Sequence, residues 1–167
     1  VTGERQLVNL NDFVDEYVTL SYHGMRAKVQ DFNVTINREY EEGDLNVKLV
    51  PQDIGRVLVN LLNNAFDAVY DATRRGEKDD FAPAVTIQTR TSMRGVEVTI
   101  QDNGIGISRD LRAKIFEPFF TTKPTGSGTG LGLALSYEIV KKDHGGTLSV
   151  SSDEGKGASF TLTLPTT

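Results

Sequence analysis

Cysteine is absent from the 167 residues, and so is tryptophan. Without cysteine there are no disulfides and no thiolate zinc sites, which fits a reducing compartment. Histidine occurs twice, as His23 and His144, far apart in the sequence. A catalytic zinc site needs more ligands than that. No basic run exists and the net charge is −5, so nucleic acid is not an evident partner. No apolar stretch approaches the roughly 20 residues that span a bilayer, and no signal peptide is visible. The start, VTGERQLVNL, carries no initiator Met and reads as part of a longer chain. What is present is ordinary for one globular domain: 38% hydrophobic and 25% charged residues. Glycine stands out locally. In Gly126 to Ser136, GSGTGLGLALS, glycines run into an apolar stretch that predicts a helix to about Lys142, ended by His144-Gly145-Gly146. A glycine loop entering a helix suits phosphate, because bare backbone N–H groups approach closely. The spacing excludes a P-loop, which ends in G-K-[ST], and a dinucleotide fold, which uses G-x-G-x-x-G.

The preceding chain alternates helices and strands. Residues 1–10 read as a lead-in whose Gln6 to Leu10 can add an edge strand. Asn11 or Asp12 can cap a helix carrying Phe13, Val14, Tyr17 and Val18 at helical spacing. Asn33 to Tyr40 and Asn46 to Val50 predict strands. Pro51 then opens a long helix to about Arg75, since a missing N–H costs nothing in the first turn. At 100° per residue, Ile54, Leu58, Leu61, Leu62, Ala65 and Val69 make one apolar stripe. Asp53, Asn60, Asn64, Asp67 and Asp71 gather on a separate arc. Asparagine is a mediocre helix former, so two beside a core stripe are a local cost that a solvated face or a function explains. Ala84 to Arg90 and Val96 to Gln101 flank a hairpin turn at Met93-Arg94-Gly95. The second strand runs into DNGIGI, Asp102 to Ile107. Ser108 can cap a short helix through Ile115, and FEPFF, Phe116 to Phe120, follows. Two more strands, Thr147 to Ser152 and Ala158 to Leu164, close the chain. The expected fold is α+β: a two-layer sandwich whose mixed, mostly antiparallel sheet of about five strands is covered on one face by about three helices.

NLLNNAFDAV, DNGIGI, FEPFF and GTGLGL, in that order, resemble the N, G1, F and G2 boxes of the ATP-binding domain of two-component sensor histidine kinases. That superfamily includes gyrase B, MutL and the ninety-kilodalton heat-shock chaperone. The resemblance covers about Val8 to Pro165, leaving 1–10 as the lead-in from an upstream helical domain and 11–167 as the catalytic domain. It implies ATP and Mg²⁺ as cofactors. Asn64 matches the metal-binding asparagine, and Asn60, one turn earlier, would lie beside the phosphates. Asp102 matches the aspartate that reads the adenine amino group. Gly104 and Gly106 would let the backbone turn under the base, with Ile107 beside it. Gly128, Thr129, Gly130, Leu131, Gly132 and Leu133 would cradle the phosphates. Lys123, in the lid, could reach the β- or γ-phosphate, and Phe119 and Phe120 would anchor that lid. Thr121 to Thr129 is expected to be poorly ordered without nucleotide.

The departures from the family pattern are informative. ATP-hydrolysing relatives carry a glutamate base where this chain has Asn60, and an amide cannot accept a proton at neutral pH. Many histidine kinases carry a lysine where this chain has Asp67. Only Thr121 to Ser127 separate Phe120 from Gly128, a short lid resembling the nitrogen-regulator type. Neither His23 nor His144 lies in a phosphoacceptor context; His144 is expected to close a helix, its ring tip at the negative dipole end. The implied activity is phosphoryl transfer from ATP to a histidine on a separate helical domain, then to a response regulator, in a cytoplasmic domain of a homodimeric parent. The alternatives are a serine kinase of the same superfamily and a nucleotide-sensing module without catalysis.

Overall fold

The computed structural model describes residues 3–76, 80–117, 132–153 and 155–166. Strand β1 (Gln6–Asn9) leads into helix α1 (Leu10–Lys28), then β2 (Thr35–Tyr40), β3 (Asn46–Leu49) and helix α2 (Pro51–Arg75). The hairpin β4 (Ala84–Ser92) and β5 (Gly95–Asp102) is followed by short helix α3 (Arg109–Arg112). Helix α4 (Gly132–Glu138), a π-helical turn (Ile139–Asp143), and strands β6 (Thr147–Asp153) and β7 (Gly157–Leu164) complete the order. The main sheet runs β2-β4-β5-β7-β6. Among the described strands only β2 and β4 pair in parallel, joined by the crossover through β3 and α2. β1 and β3 form a separate antiparallel pair, with Gln6 opposite Leu49. The expected two-layer α+β sandwich is the observed one.

The period-2 pattern of the strands decides which face is covered. Val85 and Ile87 of β4, Val96, Val98 and Ile100 of β5, and Phe160, Leu162 and Leu164 of β7 are buried toward the helices. The alternate residues form a polar outer face. There Asn37 donates to Thr86 (3.2 Å), Gln88 to Glu39 (2.7 Å), and Thr99 bonds Thr161 (3.2 Å). Helix α2 lies on the inner face. Its predicted stripe is buried throughout, and Val57 and Phe66 join it. Each fully buried Leu or Val of this kind contributes about 1.5–3 kcal/mol. Helix α1 packs beside α2 through Phe13, Val14 and Val18.

Three local expectations are corrected. The cap of α1 is Asn9, whose side chain accepts from the Asp12 N–H (3.1 Å), not Asn11 or Asp12. Asn11 is used elsewhere, donating to the Glu41 carbonyl (2.8 Å) and accepting from the buried Thr89 hydroxyl (2.5 Å). Ser108 caps α3 as expected, but regular helix stops at Arg112. Lys114 then bonds Leu111 and Glu117 bonds Lys114, both at three-residue spacing, so the chain tightens into turns before the buried Ile115. The helix after the glycine run is not one α-helix to Lys142: it widens to π geometry at Ile139.

Candidate functional site

Val96, Val98, Ile100 and Asp102 share the inward face of β5, so Asp102 is a carboxylate at the end of an apolar row. It is 5% exposed. Burial pushes its pKa up to about 6, against the opposing pull of backbone N–H donors from Gly104 and Ala158. Both of those bonds, 2.8 and 3.4 Å, go to one oxygen, Oδ1. Oδ2 accepts no hydrogen bond among the described residues. The carboxylate is therefore pinned in orientation with one acceptor uncommitted.

The loop after Asp102 is held on two sides. A Cβ on Gly104 would stand 2.5 Å from the backbone carbon of Ala68, so only glycine lets the loop pass this close beneath α2. Gly106 turns the chain with φ +73°. On the other side lies the β6–β7 turn. Ile107 N–H donates to Ser152 Oγ (2.7 Å), which donates on to the Gly157 carbonyl (2.7 Å). Gly155 N–H reaches the Ile105 carbonyl (2.7 Å). Asp102, Gly104 and Ile107 thus sit on one braced ledge facing α2.

On α2, Asn60 and Asn64 are half-buried and one turn apart, and Asp67 is exposed. Asn60 Nδ2 donates to the Gly132 carbonyl (3.3 Å) and to Ser136 Oγ (3.2 Å), tying α2 to the first turn of α4. Leu133 packs against the core. The Asn64 amide makes no hydrogen bond among the described residues. The structure therefore brings Asn60, Gly132 and Leu133 together, with Asn64 beside them on the same helix. Phe119, Phe120, Lys123, Gly128, Thr129, Gly130 and Leu131, and the expectation of poor order over Thr121 to Thr129, lie outside the described residues.

Among the described residues, no group of three His, Asp or Glu side chains could hold a metal ion by itself. The donor set fits a different role. One unpartnered amide oxygen suits Mg²⁺ that keeps most of its water and arrives with phosphates.

Residues 49–167 match the model of the family described as histidine kinase-, DNA gyrase B-, and HSP90-like ATPase. The chain belongs to that family. Its relatives within that family include sensor histidine kinases. Sensor histidine kinase ZraS of Escherichia coli K12 is 35% identical over 160 residues, covering 96% of this chain and 31% of ZraS. Signal transduction histidine-protein kinase AtoS of the same strain is 41% identical over 162 residues, covering 96% of this chain and 24% of AtoS. The chain thus spans less than a third of these curated relatives. The catalytic domain of histidine kinase ThkA superposes with TM-score 0.78 at 30% identity, covering 98% of this chain and 96% of that one. ThkA has also been solved in complex with the response regulator protein TrrA, where the TM-score is 0.75, the identity 27%, and the coverage 98% of this chain and 42% of that one.

This histidine-kinase catalytic domain uses residues that sequence reasoning passed over. Ser136 is fully buried beneath Asn60, and Ser152 is buried behind Ile107. Both had a signal. Ser136 lies four residues after Gly132, on the same helix face. Ser152 continues the row of Leu148 and Val150, as Asp102 continues that of β5. A polar residue finishing an inward row marks a partner inside. His144 does close its helix, through Nδ1 and the Ile139 carbonyl (2.9 Å), but not as a charge facing a dipole. Its Nε2 accepts the Val50 N–H (3.1 Å), so the ring is neutral, and it is 4% exposed.

Proposed function

We propose that this domain binds Mg·ATP and presents the γ-phosphoryl to a histidine on a separate helical domain, for onward transfer to an aspartate of a response regulator. The observation that carries the reading is Asp102: buried, pinned through Oδ1, with Oδ2 left to accept from a nucleobase amino group. The braced loop of Gly104, Gly106 and Ile107 would support the base. Asn64 would offer its oxygen to Mg²⁺. Asn60, Gly132 and Leu133 would border the phosphates, and Asp67 stands one turn beyond Asn64. Phe119, Phe120, Lys123, Gly128, Thr129, Gly130 and Leu131 are proposed for lid and phosphate contacts on the motif order. Bound Mg²⁺ would supply charge neutralisation at the phosphates; the chain contributes position. The response regulator as partner rests on the names of the relatives and on the complex that ThkA forms. Residues 1–10 would lead in from the helical domain, and the parent would act as a homodimer with this domain in the cytoplasm.

Asn60 favours transfer over hydrolysis. Its amide is spent as a donor to Gly132 and Ser136 and cannot take a proton from water. Titration calorimetry with a non-hydrolysable ATP analogue and Mg²⁺ tests binding: heat for the wild type and its loss in Asp102→Ala are expected, and equal affinities would sink the assignment. Labelled ATP with an added dimerisation domain tests transfer. Binding without transfer would favour the sensing module.

A further inference from the structure

The start of α2 has an unusual need. Pro51 has no N–H, and Val50, its N-cap, is buried and has no side-chain cap. The Val50 N–H is met by His144, 94 residues away, at 3.1 Å from Nε2. A ring nitrogen that accepts carries no proton, so the proton is on Nδ1, donated to Ile139, the first residue of the π-helical turn. Arg5 donates to the carbonyl of Asp143, the last residue of that turn. The opposite end of the same helical unit is the Asn60 contact with Gly132 and Ser136.

These contacts make a frame. Val50 to Asn60 is ten residues of α2, roughly 15 Å at 1.5 Å per residue, and Gly132 to His144 is a comparable span. The N-terminal end of α2 meets the C-terminal end of the α4 unit, and Asn60, further along α2, meets the N-terminal end of that unit. The two helices therefore run antiparallel, and the α4 unit is fastened to the first half of α2 at both of its ends. Chain emerging from the glycine run enters α4 at Gly132, so the position of that entry depends on where the far end is tied. A π turn adds a residue to a helix and is frequent at functional sites.

We propose that His144 is a positioning residue of the nucleotide site: its tie to Val50 sets the register of α4 along α2, and so the place where Gly132 meets Asn60. His144 itself stands outside the site. This rests on the nucleotide reading above.

Two substitutions dissect the ring. Asn keeps a donor near Nδ1 and loses the acceptor at the Nε2 position; Gln reaches the Nε2 position with an acceptor and loses the bond to Ile139. Two readouts are taken on each folded variant: affinity for the Mg²⁺ complex of an ATP analogue, and hydrogen exchange of amides 133–138 in the unliganded domain. In H144N, affinity is expected to fall at least fivefold and exchange to quicken by a similar factor. H144Q is expected to stay within twofold of wild type on both. A purely structural role would lower the unfolding midpoint in both variants and leave affinity alone. H144N within twofold of wild type on either readout overturns the proposal. So does H144Q weakening binding fivefold, a result that decides even if H144N does not fold. A wild type that binds no nucleotide would instead remove the nucleotide reading, while the exchange comparison would still judge the tie.

Discussion

Asp102 shows how a single residue carries both cost and use. Its pKa is held near 6 by burial, above the 3.8 of a free carboxyl. Between those values the folded domain keeps a proton that the unfolded chain has released. Stability from this group is therefore greatest below pH 3.8 and declines as pH rises, by about 3 kcal/mol above pH 6 for a shift of this size. Asp102→Asn can keep Oδ1 on the Gly104 and Ala158 N–H groups without the buried charge. Urea unfolding should show the variant more stable than wild type at pH 7.5, by about 1–3 kcal/mol, with the gap closing toward pH 4. Binding should run the other way. With Oδ1 accepting from two backbone N–H groups, a proton is taken up on Oδ2, the oxygen left for the amino group, so the affinity of the wild type for an adenine nucleotide should fall as pH drops through 6. A flat affinity between pH 5 and 7.5 would mean that the base does not use this carboxylate.

At the scale of elements, α2 was the most legible part of the chain, because its apolar stripe obeys one period and proline marks its start. Its polar arc was legible as an anomaly: two asparagines where helix propensity argues against them. What the arc touches was not. Asn60 meets α4 across 72 residues, and no local pattern encodes a contact of that separation. The π turn was equally hidden, since its hydropathy period over five residues is indistinguishable from that of an α-helix. The same holds for the cap of α1. Asn9, Asn11 and Asp12 are all residue types that cap; in the fold Asn11 is used by Glu41 and Thr89, and the Asp12 N–H goes to Asn9. The Asn60 contact makes a specific prediction. Asn60→Asp is nearly isosteric, but it replaces a donor by an oxygen and sets a carboxylate against the Gly132 carbonyl. It should cost about 1–3 kcal/mol in urea unfolding, from the loss of a partly buried donor pair. Ser136→Ala should cost less, since Gly132 still accepts. An N60D domain as stable as wild type would mean that α4 is not held through this side chain.

Over the whole molecule, the described parts of the site come from three regions far apart in sequence: α2, the β5 exit, and α4. They are joined to each other only through hydrogen bonds and packing. The order of four short motifs made the site recognisable; their convergence is a property of the sheet, which places β5 at its centre under α2. A ligand that touches all three regions in the folded state and none in the unfolded chain must stabilise the entire domain. At a free concentration 100 times Kd the gain is about 2.7 kcal/mol. For a domain of this length each kcal/mol raises Tm by about 2–4 °C, so saturating Mg·ATP analogue should raise it by about 5–10 °C. Asn64 separates metal from nucleotide in that shift. Among the described residues its amide has no hydrogen-bond partner to lose, so Asn64→Ala should leave the unliganded Tm within about 1 °C. It should abolish the part of the shift that depends on Mg²⁺ and keep the part given by nucleotide with chelator. A full Mg²⁺-dependent shift in Asn64→Ala would place the metal on another residue of this chain.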